Sequence, residues 1–208
     1  MGCGTAIPSL ILFQYAISEE LTINFTLADY NASVLRLVTL PNLFLTWVST
    51  LPLTSAPFSE SEPNPLLTSS EGDLPITADL TKTFLNQLRM QGLQLSFISG
   101  SWSPSAPFIS LIPTAPTMNT LVLASETIYS PTALASFTEA LIGILERVRL
   151  GKAMIAAKRM YFGVGGSVDA FKVECRERKA VASEIENHGV DLGESSGVRR
   201  CLIEVQML

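Results

Sequence analysis

The 208-residue chain is 47% apolar and only 16% charged, which allows one domain with a sizeable core and excludes a globally disordered polymer. Its net charge of −5 excludes a nucleic-acid groove as the main surface, because phosphate contacts demand a basic face. The best apolar runs, Leu10–Ile17 and Leu121–Ala124, are broken before the roughly 18–20 residues a membrane-spanning helix needs.

At the N-terminus no basic stretch precedes an apolar one, so no secretory leader is expected. Met1–Ala6 misses the myristoylation pattern because Ala6 stands where Ser or Thr is required. Cys3, Cys175 and Cys201 lie far apart and form no C-x-x-C pair, which suits free thiols in a reducing compartment and no metal site. Without a leader, the glycosylation-like Asn24-Phe25-Thr26 and Asn31-Ala32-Ser33 are coincidences.

Strands and helices alternate in chain order. Pro8–Tyr15 reads as a helix after a glycine turn, with Pro8 tolerated in the first turn. Leu21–Leu27 alternates apolar and polar as a strand does, and Asp29 follows it. A helix from Asn31 carries Val34, Leu35 and Val38, then Leu43 and Leu45, with an interruption expected near Pro41. Residues 50–75, rich in Ser and Pro, read as a flexible insertion. Asp79–Met90 is a helix stopped by Gly92, Leu93–Ser99 a strand, and Ser103–Pro116 a proline-rich connection. Leu121–Ser125 has the apolar character of a strand inside a parallel sheet. Pro131–Arg149 is a helix ended by Gly151, and Ala153–Ala157 is the next strand. A helix over Val168–Arg178 precedes two strands, Val181–Glu186 and Arg200–Gln206. Only a polar turn, Gly189–Gly197, separates those two, so they pair as a hairpin. The fold expected is α/β, a doubly wound, mostly parallel sheet with an antiparallel last strand.

In such sheets a ligand lies beyond the carboxyl ends of the strands. Gly2 and Gly4 let backbone approach a ligand closely, and Asp29, about 25 residues on, stands where an acid binds ribose hydroxyls. On local pattern these residues suit a nucleoside cofactor of either the methyl-donor or the nicotinamide kind, and equally a tight turn plus a surface acid.

The wording of Gly2-Cys3-Gly4-Thr5-Ala6 resembles the first motif of the class I, seven-strand methyltransferases, and the closing hairpin is similar to their topology. Asp29-Tyr30-Asn31, Val38–Asn42, Ser99–Ser103, Ser125–Tyr129 and above all Ala157–Val168 resemble the protein-histidine N-methyltransferase branch. The resemblance runs from Gly2 to about Gln206 and omits only the Ser/Pro-rich stretch. It implies a single Rossmann-like domain whose first strand is incomplete, lacking the part N-terminal to the glycine loop. The cofactor implied is S-adenosyl-L-methionine, held by Gly2, Gly4, Asp29, Asn31, Gly100, Ser101, Trp102 and Ser125. Trp102 would flank adenine, although a plain core role accounts for it equally.

Glu126 and Tyr161 are the implied catalytic residues. Tyr161–Gly166 would lie near the acceptor, or be an ordinary glycine turn. The implied partner is a protein substrate, a large-subunit ribosomal protein, with no nucleic acid and no membrane, in cytoplasm and nucleus. Transfer to lysine, or an inactive remnant, are the alternatives. His188 reads as structural or exposed, and Lys158 and Arg159 as substrate contacts or a solvated strand end.

Overall fold

The computed structural model describes residues 1–54, 56–69, 71–115, 117–185 and 200–208. The chain divides into two compact units: Met1–Cys3, Ala28–Tyr30 and Ile98–Leu208 form the first, and Gly4–Leu27 with Asn31–Phe97 form the second. The fold is mixed α/β, and in the larger of its two sheets all strands but one run in the same direction.

The second unit holds α1 (Ile7–Ser18), α2 (Ala32–Val34), α3 (Leu40–Ser49), α4 (Pro65–Thr68) and α5 (Ala78–Gln91). It also holds most of β1 (Asn24–Asp29) and β2 (Gln94–Ser99), which pair as a two-stranded sheet. Hydrogen bonds join start to start (Gln94 N–H to Ile23 C=O, 3.1 Å) and end to end (Gly100 N–H to Asp29 C=O, 3.2 Å), so the pair runs parallel.

The interruption expected near Pro41 is not a break. The chain stays helical from Ala32 to Ser49 through a π turn at Leu35–Thr39. Proline has no N–H to give back to the carbonyl four residues earlier, and the wider turn just before it absorbs that defect. By length and composition Ala32–Ser49 is apolar enough to cross a bilayer. In this fold Leu43, Trp47 and Val48 are fully buried in the unit's own core. There the rings of Phe44, Trp47 and Phe84 meet at 5.3, 5.1 and 5.0 Å, and the Trp47 indole N–H donates to Gln87 Oε1 at 2.8 Å. Within 50–75, the fully buried Asn64 donates through Nδ2 to the carbonyls of Val48 (2.9 Å) and Leu51 (3.2 Å). Its Oδ1 accepts from Leu66 N–H, capping α4.

The first unit contains α6 (Ser105–Ser110), α7 (Pro131–Leu145) and α8 (Val168–Glu177). Its sheet is built from β3 (Asn119–Ser125), β4 (Leu150–Lys158), β5 (Ala180–Glu184) and β6 (Arg200–Met207), ordered β3-β4-β6-β5. β3 and β4 are parallel, and β6 runs antiparallel to both of its neighbours. The expected antiparallel last strand is therefore present, paired from Ala180 opposite Met207 to Glu184 opposite Ile203. The turn between β5 and β6, including His188, lies outside the described residues.

Three local expectations shift. The proline-rich connection contains the short helix α6, begun at Pro104 as its N-cap. α7 stops at Leu145 rather than Arg149, and Gly151 lies inside β4. A side chain at Gly151 would come within 3.0 Å of Leu145 Cδ2 and 3.1 Å of Val148 Cγ2, so close packing explains that glycine better than helix termination does. No strand forms at Met1–Cys3, before or within the glycine loop. The Met1 ammonium donates to Leu123 C=O at 2.7 Å and Cys3 N–H donates to Ala28 C=O at 3.1 Å.

α7 and α8 bury Phe137, Leu141, Phe171 and Cys175 completely against Ile155 and Ile203 of the sheet. Parallel pairing brings the carboxyl ends of β3 and β4 to one edge of this core, and there the functional side chains collect.

Candidate active site

Gly2 is the meeting point of residues distant in sequence. Its φ of +63° is a left-handed conformation that a side chain disfavours. A Cβ there would stand 3.4 Å from Thr127 Cγ2, 3.7 Å from Trp102 Cη2 and 3.9 Å from the Ser125 carbonyl oxygen. Trp102 leans on Phe137, with ring centroids 5.6 Å apart, so its ring is part of the core wall. Its indole N–H, however, is buried with no hydrogen-bond partner among the described residues, and the same holds for the hydroxyl of Thr127, a residue only 2% exposed. A buried polar group left unpaired costs about 1–3 kcal/mol. Both residues border Gly2 through carbon atoms, Trp102 Cη2 and Thr127 Cγ2, so the two unpaired groups belong to residues that line this corner.

Asp29 ends β1, and its carbonyl accepts the Gly100 N–H. Gly100 has φ +125°, and the turn after it is fixed by Ser103 N–H donating to Ser101 Oγ at 3.1 Å. Asp29, Gly100, Ser101 and Trp102 are thus gathered in the first unit with Gly2 and Ser125. Gly4 and Asn31 belong to the second unit. There the Thr39 hydroxyl donates to Gly4 C=O at 2.7 Å, and Asn31 Oδ1 accepts from Ser33 N–H at 2.9 Å as the N-cap of α2.

Glu126 directly follows β3 in a left-handed conformation, φ +57°, unusual for a residue with a side chain. Its own N–H is held by Ala156 C=O at 2.9 Å. The Tyr161 hydroxyl accepts from Lys158 N–H at 3.2 Å. Burial first, then the nearby Glu126 charge, pushes the Tyr161 phenol up to about 12, so its proton stays in place. The Lys158 ammonium lies 5.7 Å from the centroid of the Tyr161 ring. Arg159, by contrast, is spent structurally: its guanidinium bridges Glu184 at 2.9 Å, and Lys172 joins the same carboxylate.

Ser125 and Thr127 bracket Glu126, so a single tripeptide serves the Gly2 corner on one side and the Tyr161 pair on the other. Thr127 is the residue that sequence reasoning left out of the site. The signal available was an apolar strand ending abruptly in Ser-Glu-Thr. Among the described residues, no three His, Cys, Asp or Glu side chains gather as a metal site would require.

The chain is similar to the Saccharomyces cerevisiae protein named histidine protein methyltransferase 1, with 34% identity over 99% of this chain and 56% of that protein. The Schizosaccharomyces pombe protein of the same name is 34% identical over 82% of this chain and 46% of its own. A Bos taurus protein named histidine protein methyltransferase 1 homolog is 26% identical over 99% of this chain and 47% of its own. The chain thus spans about half the length of the curated relatives it matches. No family model matches it.

Proposed function

We propose, from a chain that is kin to histidine protein methyltransferases along almost its whole length, that this protein transfers a methyl group from S-adenosylmethionine to a histidine side chain. The acceptor in this reading is a histidine of a large-subunit ribosomal protein, and the setting is cytoplasm and nucleus. The observation that supports the reading is the corner of Gly2, Trp102 and Thr127, whose residues carry two unpartnered buried polar groups and which adjoins Glu126.

The residues present fit the cofactor. In this reading Asp29 would accept both ribose hydroxyls, Gly100 to Trp102 would border the adenine, and Gly2 would admit the methionine end, assisted by Ser125. Bound there, the cofactor supplies an electrophilic methyl group on a positively charged sulfur. Glu126 would accept the N–H of one imidazole nitrogen and so leave the lone pair on the other free to act as the nucleophile. Tyr161, held protonated by burial, borders the same side of the site. A histidine, with an ordinary pKa near 6.5, is mostly a neutral nucleophile at pH 7, so little acid–base work is needed and positioning dominates. Transfer leaves an imidazolium whose remaining N–H faces Glu126. That carboxylate, open to solvent, takes the proton and releases it to water.

Calorimetric titration with S-adenosylhomocysteine tests the cofactor half of the reading. Micromolar binding, about −8 kcal/mol, is expected, and no binding at millimolar ligand would overturn it. Radiolabelled methyl transfer to large-subunit ribosomal proteins, followed by acid hydrolysis, tests the acceptor. Methylhistidine is expected, and methyllysine would redirect the assignment. Unchanged methylation by Glu126→Gln would remove Glu126 from its role.

A further inference from the structure

Beside the acceptor corner, the Tyr161–Gly166 loop spends its backbone on itself and puts its apolar side chains into water. Tyr161 N–H donates to Gly166 C=O at 2.9 Å, and Val164 and Gly165 N–H both donate to Tyr161 C=O, at 3.3 and 3.1 Å. Gly166 N–H donates to Tyr129 C=O at 3.1 Å, and Met160 bridges Ser167 across the base. Gly166 is pressed so closely on the segment after Glu126 that a Cβ would stand 2.0 Å from the Ile128 carbonyl oxygen. Tyr161 is buried, yet its neighbours Phe162 and Val164 are 84% and 53% exposed, and Met160 at the base is 52% exposed.

A mobile turn carries exposed apolar groups at little consequence. A turn with three internal amide hydrogen bonds and a fourth to Tyr129 holds them in fixed positions, which is the geometry of a contact surface. The loop is seated on Ile128 and Tyr129, the second and third residues after Glu126. An extended peptide that reaches the Glu126 carboxylate therefore brings residues a few positions from its acceptor beside the loop.

We infer that Phe162 and Val164 form a docking surface for the protein substrate, gripping an apolar side chain two to four residues from the acceptor histidine. This rests on the methyl-transfer reading above. The loop supplies binding energy remote from the reacting nitrogen, so its loss weakens the substrate complex and leaves the cofactor corner intact.

The test uses 13-residue peptides with one central histidine and either Leu or Ser at the positions two to four residues away. For the wild-type chain kcat/KM is expected to be at least tenfold higher on the Leu peptides. In Phe162→Ser/Val164→Ser that preference is expected to fall to within twofold through a raised KM, with S-adenosylhomocysteine affinity unchanged within twofold. Wild-type indifference to the flanking residues, or a double variant that keeps the preference, overturns the inference. So does a double variant whose only change, by light scattering, is in its self-association. If only intact ribosomal protein is methylated, an unchanged KM for the double variant on that protein overturns it equally. Failure of the wild type to methylate any histidine, by contrast, is failure of the methyl-transfer reading itself, and the inference falls with it.

Discussion

Two glycine-bearing segments border the candidate site, and they solve opposite problems. At Gly2 the backbone is bare and its neighbours Trp102 and Thr127 keep buried polar groups without partners. At Tyr161–Gly166 the backbone amides are consumed within the fold while apolar side chains face water. The first leaves hydrogen-bonding capacity unspent and suits a small polar ligand. The second leaves hydrophobic area unspent and suits a polypeptide. The same residue type serves both because each position needs close backbone approach, in one case to a ligand and in the other to the protein's own Ile128 and Tyr129 carbonyls.

Substituting the two glycines is the most direct way to break that contrast. Gly166→Ala is expected to have the largest effect. Its Cβ meets main-chain atoms at 2.0 and 2.4 Å that no rotamer change can relieve, so the loop must lift away. A loss of about 3 kcal/mol in urea unfolding is expected, at the upper end of overpacking costs, together with loss of methyl transfer. A stability within 0.5 kcal/mol of wild type, about the scatter of neutral surface changes, would show that the loop is not pressed on that segment.

Gly2→Ala should cost less in stability, about 1 kcal/mol for the left-handed φ, because its Cβ meets only ordinary contacts. Its effect falls on the ligand: S-adenosylhomocysteine affinity should drop about tenfold, or 1.4 kcal/mol. Unchanged affinity in a titration would detach Gly2 from the cofactor corner.

The smallest effect at neutral pH is a pH dependence, because it appears only in alkali. Burial raises the Tyr161 phenol from 10.0 and the Cys175 thiol from 9.0, each to about 12. A raised folded-state value contributes stability that is complete below the unfolded value and lost as pH rises through the folded one. Stability should therefore be level up to about pH 9 and decline from there towards 12. Cys175→Ala should remove the earlier part of that decline, beginning near 9, and leave the part that starts near 10. A decline in urea midpoints that is the same in Cys175→Ala as in the wild type would contradict the burial of the thiol.

Much of the fold was legible because local pattern and global role agreed. The buried stripe of α7 and the apolar run of β3 have the periods of a covered helix and an inner strand, and both lie where those periods place them. Pro41 and Gly151 misled because each has two physical uses. A proline ends a helix unless the turn before it widens, and a glycine stops a helix or admits a close neighbour. Only the surrounding structure selects between them.

The site divides in the same way. The sequence by itself determined the residue types at the carboxyl ends of the strands, Gly2, Asp29, Trp102 and Ser125 to Thr127, because strand ends follow from the alternation of apolar and polar residues. Tertiary structure decided which of them act together. Pairing β3 beside β4 carried Glu126 to Tyr161, 35 residues away in sequence. Burial, a property of the whole core, left the Trp102 and Thr127 polar groups unsatisfied and kept the Tyr161 proton in place. Hydrogen-bond satisfaction and desolvation depend on every neighbour at once, and no run of sequence contains those neighbours.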